Sequence, residues 1–569
     1  MSITRARRGR RGGAWAIGAA LAVAAPAWSQ PTPAPPEGPA DLVIENARIW
    51  SDGLATFAEF AAVRDGRFVH VGRAEPGLIG PDTTRIDAAG RVVIPGLIDS
   101  HVHMISGGQM LSSLNLRDAA DREAFVAAVG ERAASLPAGE WLVGGRWSTD
   151  SWDDPSFPDK SWIDEAASDH PTILWRMDGH SALVNSLALA RAGITREGPP
   201  DPVGGVIDRD ERGEPTGILR ESAVGLVAGL LPGATLEQHT RALRAASAEA
   251  ARLGITSVAD IPDLSQLGAY EALAADESLS TRFFLYPTAD DWRAGAMEAT
   301  WFQGRPGWVQ INGFKAYLDG TLGSRTAFMK EDFLPGRDGR STRGFLREGV
   351  ENGGLQRDLR DATRAGVQVI AHAIGDAANA YFLDALVENY GDRPGRLARA
   401  RARAEHAQHL SEAEIARFGS LGVIASMQPL HKADDGRYAE GYIGEARSRT
   451  SYAFKSLLDA GAVLVFGSDW PVVSLDPWLG IDAAVTGRLL DSDEVWMPHQ
   501  NITVGEALRC YTSRAAYAVM AESQIGRIEP GFRADFVILG VSPFDPGVDL
   551  RSVRAAATYV EGRLVFQAP

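Results

Sequence analysis

Eight short apolar segments, most of them ending in polar residues, constrain the fold of this chain more than any other feature. In order they are VIPGLIDSHVH, ITSVADI, RFFLYP, INGFKAYLDG, VQVIAHAIGD, RARAEHAQH, VIASMQP and VLVFGSDWPV. Amphipathic stretches of helical period separate them. Buried strands alternating with helices predict a parallel sheet, and eight is the number that closes a (β/α)8 TIM barrel. The expected fold class is therefore α/β, with the barrel over residues 96–515.

One spacing breaks the pattern. Roughly 150 residues lie between the first and second segments, too many for a loop. This stretch carries Trp141, Trp147, Trp152, Trp162 and Trp175 and its own strand and helix patterns. It reads as a large insertion after barrel strand 1, an inserted subdomain over residues 110–250. It either reaches over the barrel mouth as a lid or decorates an edge.

Both ends of the chain are strand-rich. DLVIENARIW, FAAVRDGRFVHVG and TRIDAAGRVVIPG are punctuated by Asp-Gly and Ala-Gly turns, and IGRIEPGFRADFVILG and AAATYVEGRLVF repeat the style. We expect residues 41–95 and 516–569 to build one composite β-sandwich domain. The chain before Asp41 is different. Five arginines lie within Met1–Arg11, an Ala-rich apolar run follows to Trp28, and small residues flank a cleavage point near Ser29. Residues 1–29 thus read as an export signal, loosely of twin-arginine type, with an uncut membrane anchor as the alternative. Residues 30–40 form a Pro-rich linker. Signal cleavage would leave no stable membrane span, and the expected location is periplasmic or secreted.

The net charge of −16, from 57 basic and 73 acidic residues, argues against nucleic acid or an anionic membrane as partner. Cys510 is the only cysteine, so no intrachain disulfide exists, and it reads as a small buried apolar residue.

The chemistry gathers at the strand ends. His101, His103, His372 and His406 are four of eleven histidines, and all four fall at the C-terminal end of a segment, where barrel enzymes carry their sites. Residues two apart share a strand face, so His101 and His103 can grip one ion. Zinc accepts imidazole nitrogen and carboxylate oxygen and keeps a position open for water. Asp469 follows a buried run and needs a partner there. A metal supplies one, and the carboxylate could also carry a proton from water to a leaving nitrogen. The alternative is a helix N-cap. Lys315 sits mid-strand, an unusual place for a charge. As an ammonium it cannot ligate a cation. N6-carboxylated, it becomes a bridging carbamate between two ions; otherwise it is a lysine paired with Asp319 or Glu405.

Taken together, Pro95–His103, the Lys315 strand, Ala371–Asp376, Glu405–Gln408 and Gly467–Pro471 resemble the amidohydrolase superfamily, most closely amidohydrolase family 3 of the YtcJ-like type. Asp178-Gly179-His180, Gly204–Ile207, Pro215–Gly217 and Asp319–Arg325 add to the likeness, which runs from Asp41 to the C-terminus. The resemblance implies a metal-carrying barrel, the composite sandwich and hydrolysis at carbon–nitrogen bonds. Its pattern matches His101, His103, Lys315, His372, His406 and Asp469 as metal positions, with Asp469 also catalytic.

The expected cofactor is Zn²⁺ or another divalent transition metal, as one ion or two. The expected reaction is attack of a metal-bound hydroxide on a small amide-like substrate. A cyclic imide or lactone hydrolase, a deaminase, and a non-catalytic ligand-binding protein are the rival readings. His180, Ser324, Arg325 and His431 are candidates to bind substrate, while Ser324 and Arg325 could instead organise their loop. His409 should face away from the site. A homo-oligomer is left open.

Overall fold

The computed structural model describes residues 38–569 except 118, 150–151, 153–156, 177–180, 203–204, 276–277, 295–306, 336–340, 392–393 and 491. The segment expected to be an export signal and most of the expected linker therefore lie outside the described residues. Among the described residues no helix is long and apolar enough to cross a membrane.

The chain opens with β1 (Leu42–Glu45), β2 (Arg48–Ile49), β3 (Phe60–Arg64), β4 (Arg67–Gly72), β5 (Thr84–Asp87) and β6 (Val92–Pro95). Four of these form a sheet in the order β4-β3-β1-β5. Pro95-Gly96 then leads directly into the first barrel strand, β7 (Leu97–Val102), followed by α1 (Met104–Ser112).

The stretch expected as an insertion comes next. It holds β8 (Leu114–Asn115), α2 (Arg122–Ala134), β9 (Leu142–Trp147), β10 (Thr172–Arg176), β11 (Ser181–Val184), β12 (Gly205–Arg209) and β13 (Pro215–Glu221). Its strands make a separate sheet in the order β12-β13-β11-β10-β9-β8. Trp147 is fully buried in it, donating Nε1–H to Leu174 O at 2.8 Å. Trp152 and Trp162 stack at 6.2 Å beside Phe125. These three tryptophans are packed within the insertion itself.

Helix α3 (Leu236–Arg252) belongs to the barrel, although the sequence pattern put residues to 250 in the insertion. Thr235 and Gln238 cap its start reciprocally. Its Ala242, Leu243, Ala246 and Ala250 are buried, and Gly108 of α1 lies so close that a Cβ there would come within 1.9 Å of Ala242 O.

The remaining barrel strands are β14 (Ile255–Asp260), β15 (Arg282–Leu285), β16 (Val309–Ile311), β17 (Gly313–Tyr317), β18 (Gln368–Ala373), β19 (Arg403–His406), β20 (Ile424–Met427) and β21 (Val463–Phe466). Helices α4 (Gly354–Ala365), α5 (Asp376–Tyr390), α6 (Glu412–Leu421), α7 (Pro429–Asp435) and α8 (Pro477–Thr486) lie between and after them. All pairings are parallel, in two runs: β7-β14-β15-β16 and β17-β18-β19-β20-β21.

Every expected barrel strand is present, but the fourth, expected as one run, is interrupted at Asn312. That residue donates its N–H to Leu285 O at 3.1 Å and its amide to Val519 O at 2.7 Å. A bridge from Thr288 to Lys315 carries the wall across this break. The other seam closes where Asp469 N donates to His101 O at 2.7 Å and His103 N to Trp470 O at 2.9 Å.

At the barrel's N-terminal end, Ile98, Phe284 and Ile370 pack with Ala515, Ala516, Val519 and Ile525, which plug the floor. Residues 516–535, expected in the terminal domain, are thus largely part of this plug. The chain ends in β22 (Phe536–Leu539), β23 (Ala555–Val560) and β24 (Arg563–Gln567), which complete a second terminal sheet, β2-β6-β22-β23-β24, from both ends of the chain.

Candidate metal centre

Buried polar contacts fix the strand ends before any metal is considered. Asp99 is buried on β7, and its Oδ1 accepts the N–H of His101 and of Ser468, both at 3.0 Å, stapling the first strand to the last. Burial pushes its carboxyl up to about 6 despite those bonds. Gly467 allows the approach, because a Cβ there would come within 2.5 Å of His101 N. The next turn throws Asp469 inward with φ at +59°. A non-glycine residue held in that region is strained, and such strain persists where surrounding contacts over-determine it.

Asp469 meets two imidazoles. Its Oδ1 lies 3.4 Å from His101 Nε2 and 3.3 Å from His103 Nε2. Those three side chains form a group whose donor atoms all lie within 4.8 Å of one another. Burial pulls the Asp469 carboxyl up. The charge of His101, with hydrogen bonds from His101 and His103, more than reverses this and holds it well below the usual carboxylate range. It is therefore an anion at neutral pH. Asp469 is not a helix cap; Asp476 caps α8 instead.

Each buried histidine is oriented by a partner on its other nitrogen. His101 Nδ1 donates to Glu405 Oε2 at 2.5 Å, leaving Nε2 to face the centre. His406 Nδ1 donates to Gln428 Oε1 at 2.8 Å, which also frees Nε2. His372 donates from Nε2 to Gly320 O at 3.0 Å, which frees Nδ1. Such outer partners fix the tautomer a metal needs. Burial, with Lys315 and other positive neighbours, lowers His372 to about 3, and burial with His372 holds His406 well below its ordinary value. Both are neutral imidazoles. Burial and Lys315 also lower His101, but Asp469 and Glu405 outweigh them and raise it. A cation on Nε2 would reverse that direction, because a ligand must be deprotonated.

His406 reaches the centre by a backbone irregularity. It follows Glu405 directly, so strand alternation would send only one of the two inward. Left-handed φ values of +75° at His406 and +42° at Ala407 end β19, and the His406 ring lies 4.9 Å from that of His101, centroid to centroid.

Lys315 is 1% exposed, and its Nζ lies 3.4 Å from His101 Nε2. Neither expected ion pair forms. Asp319 instead accepts the backbone N–H groups of Ile374, Gly375 and Phe328. Glu405 is taken by His101 and by Arg403 Nε at 2.8 Å. Among the described residues no carboxylate lies within ion-pair reach of Nζ. Burial lowers this amine to about 8, only partly offset by Glu405 and Asp469. A cavity of about 400 Å³ adjoins Lys315 and Tyr317 and is also lined by Thr288, Arg293, Arg347 and Asp358. No histidine borders it, so it flanks the centre and does not enclose it.

The other candidates divide. His431 lies at the centre: a second group within 4.8 Å consists of His406, His431 and Asp469. His372 is in neither group, though its ring lies 4.5 Å from that of His406. Ser324 bonds to Thr321 and Thr326, and Arg325 to Leu334 O with its guanidinium over Tyr442, so both organise their own loop. His409 faces Ser451 Oγ at 2.8 Å, as expected of a residue turned from the site. His180 lies outside the described residues. Sequence reasoning missed Arg403 and Gln428, and it assigned no role to Asp99. Arg403 and Glu405 share one face of a fully buried strand, and that pair of charges at spacing two was the available signal.

A parallel barrel with histidines and an aspartate converging at its C-terminal rim defines a metal-dependent hydrolase of the general kind. Residues 84–566 match the amidohydrolase family model, and the chain belongs to that family. The chain is similar to protein LONG AFTER FAR-RED 3 of Arabidopsis thaliana, 36% identical with 94% of this chain and 93% of the relative covered. It is 33% identical to the putative amidohydrolase YtcJ of Bacillus subtilis (strain 168), covering 86% and 91%. It is 26% identical to the N-substituted formamide deformylase of Arthrobacter pascens, covering 93% and 98%. Among solved structures, an uncharacterized metal-dependent hydrolase from Pyrococcus furiosus superimposes with a TM-score of 0.72 at 26% identity, covering 89% and 100%.

Proposed function

We propose that this protein hydrolyses carbon–nitrogen bonds other than peptide bonds in a small amide-like substrate. One observation carries the reading: Asp469 Oδ1 stands 3.3–3.4 Å from two histidine nitrogens. The donor atoms of His101, His103 and Asp469 all lie within 4.8 Å of one another, and imidazole nitrogen with carboxylate oxygen is a donor set that suits a divalent transition metal. His101, His103 and Asp469 would hold Zn²⁺ or another divalent transition metal. When bound, such an ion supplies hydroxide near neutral pH and polarises a carbonyl. Asp469, kept anionic by its neighbours, accepts the proton of the nucleophile and returns it to the leaving nitrogen. Glu405 and Gln428 keep His101 and His406 in the tautomer the centre requires. His372 and His406 are candidate ligands for a further ion. If Nζ of Lys315 were carboxylated, it would add an anionic oxygen ligand for the ions; that no carboxylate lies within ion-pair reach of Nζ among the described residues supports that reading.

The relative that deformylates N-substituted formamides supports the choice of bond. The two terminal sheets, one of them built from both ends of the chain, support one composite sandwich. The N-terminal arginines and apolar run support export to the periplasm or beyond.

The test is a screen of N-acyl amino acids, N-substituted formamides and cyclic imides, following amine and ammonia release with the zinc-loaded protein and with Asp469→Asn. The variant is expected to lose roughly 10²–10⁴-fold in kcat, the usual weight of a positioned acid–base group. Undiminished turnover in the variant would remove Asp469 from this role. Release of ammonia from an amine-bearing ring would turn the assignment to deamination.

A further inference from the structure

The cavity of about 400 Å³ that flanks the metal centre carries charge its own walls do not answer. It lies between the segment after β15, the C-terminal half of β17, the turn at Arg347 and the start of α4. Arg293, Arg347 and Arg357 line it with Asp290 and Asp358, so its walls are net positive even with Lys315 left out. The chain as a whole carries −16. One arginine takes both acids: Arg293 donates to Asp290 Oδ1 at 2.6 Å through one guanidinium nitrogen and to Asp358 Oδ1 through another. Among the described residues no carboxylate lies within ion-pair reach of Arg347 or Arg357.

Arg347 is held close to the centre. Its backbone N–H donates to Leu318 O at 2.7 Å, which ties its turn to the chain just past β17. Its guanidinium stands over the Tyr317 ring, 5.3 Å from the centroid, and Lys315 Nζ lies 5.0 Å from the same centroid. Tyr317 also lies 5.9 Å from His372, ring to ring, while Lys315 Nζ is 3.4 Å from His101 Nε2. One aromatic ring therefore connects the arginine to the residues of the metal centre. Ala289, Leu318, Val350 and Leu355 add apolar wall. A positive, partly apolar cavity beside a reaction centre suits an anion with an apolar body. A guanidinium is the side chain best matched to a carboxylate, which it meets with two parallel, charge-assisted hydrogen bonds.

We infer that this cavity selects amide-like substrates that bear a carboxylate, and that Arg347 and Arg357 bind that carboxylate. The inference rests on the hydrolase reading above and narrows its substrate class. Arg347 makes the contact nearer the reacting bond, because it shares the Tyr317 ring with Lys315. Arg357, in the first turn of α4, supplies a second charge to the same space. Arg293 is satisfied by its two aspartates and holds the wall in place. A neutral amide of the same shape gains nothing from the two free guanidiniums, so selectivity is the difference between two otherwise equal ligands.

The experiment uses the zinc-loaded, full-length protein and probes that differ only in the carboxylate. N-formylphenylalanine is compared with N-formylphenethylamine, and N-acetylphenylalanine with N-acetylphenethylamine, in wild type, Arg347→Met and Arg347→Lys. Calorimetry with phenylacetate and phenylacetamide gives a second readout that needs no turnover, and circular dichroism confirms folding. Wild type should favour the carboxylate member of each pair by about tenfold in kcat/KM, the weight of one charge-assisted contact. Arg347→Met should bring that ratio towards one, chiefly through KM, and Arg347→Lys should keep part of it. An equal or reversed preference in wild type, or one that survives Arg347→Met, would overturn the inference. So would phenylacetate binding equally to wild type and Arg347→Met, the result expected if the metal alone captured the anion. Failure of the hydrolase reading looks different: no probe would turn over, yet phenylacetate would still bind wild type more tightly than Arg347→Met.

Discussion

The two ends of the barrel both bury charge, and they treat it differently. At the floor, Arg282 is fully buried and pairs with Asp535 through one guanidinium nitrogen and with Glu561 at 3.0 Å through another. Arg533 joins Glu561 from the other side. Opposite charges there answer one another across the junction of the barrel and the terminal sheet. At the mouth, Lys315 has no carboxylate within ion-pair reach among the described residues, and Asp469 draws on two histidines at once. Buried charge that is mutually answered holds structure together, whereas a buried charge without a counter-charge marks a place where something else can bind.

That contrast can be broken in several ways. The largest effect should come from stripping metal: dialysis against a strong chelator should abolish hydrolysis, and added zinc should restore it. Retained activity in metal-free protein would erase the functional distinction between the two ends. Arg282→Ala should act oppositely, lowering stability by about 3–5 kcal/mol because it leaves buried carboxylates uncompensated, with zinc content unchanged. Urea denaturation and elemental analysis on the same sample decide this.

A smaller effect concerns Glu405, which belongs to the mouth yet is answered like a floor residue. Burial pulls its carboxyl up, but Arg403 and His101 bring it down to about 2 from an ordinary 4.5. A depressed carboxyl stabilises the fold fully above its unfolded value and loses that contribution as pH falls through its folded value. The stability difference between metal-free wild type and Glu405→Gln should therefore shrink progressively as pH falls below about 5. A difference that grew on acidification would contradict the sign. The smallest effect is at Cys510, whose thiol burial raises to about 11. It should resist thiol reagents at pH 8 in the native protein and react on unfolding.

Much of this was legible in the sequence, because strand ends and hydrophobic runs are local signals. All eight barrel segments, the inward His101–His103 pair and the partner-seeking Asp469 follow from periodicity and burial alone. What escaped depends on contacts far apart in the chain. Gln428 fixes His406 from 22 residues away, and Glu405 fixes His101 from 304. The break at Asn312 leaves no mark in an apolar run, since it is set by a neighbouring strand and by the plug. His431 read only as a possible pocket residue, because nothing local shows that its ring stacks on His406. Lys315 was the converse case. Two plausible acidic partners were visible, and both prove to be engaged elsewhere.

The second terminal sheet has a consequence for how the molecule is made. Strand β6 pairs with β22, some 440 residues further along, and the pairing clasps the start of the barrel from below. At about 5–20 residues per second, a ribosome needs tens of seconds to deliver that partner. Until then the edge of β6 stands open and the first barrel strand hangs from an unfinished sheet. Assembly is thereby tied to completion of synthesis, so a chain truncated before Phe536 should never acquire the closed form, even though every residue of its metal centre has already been made.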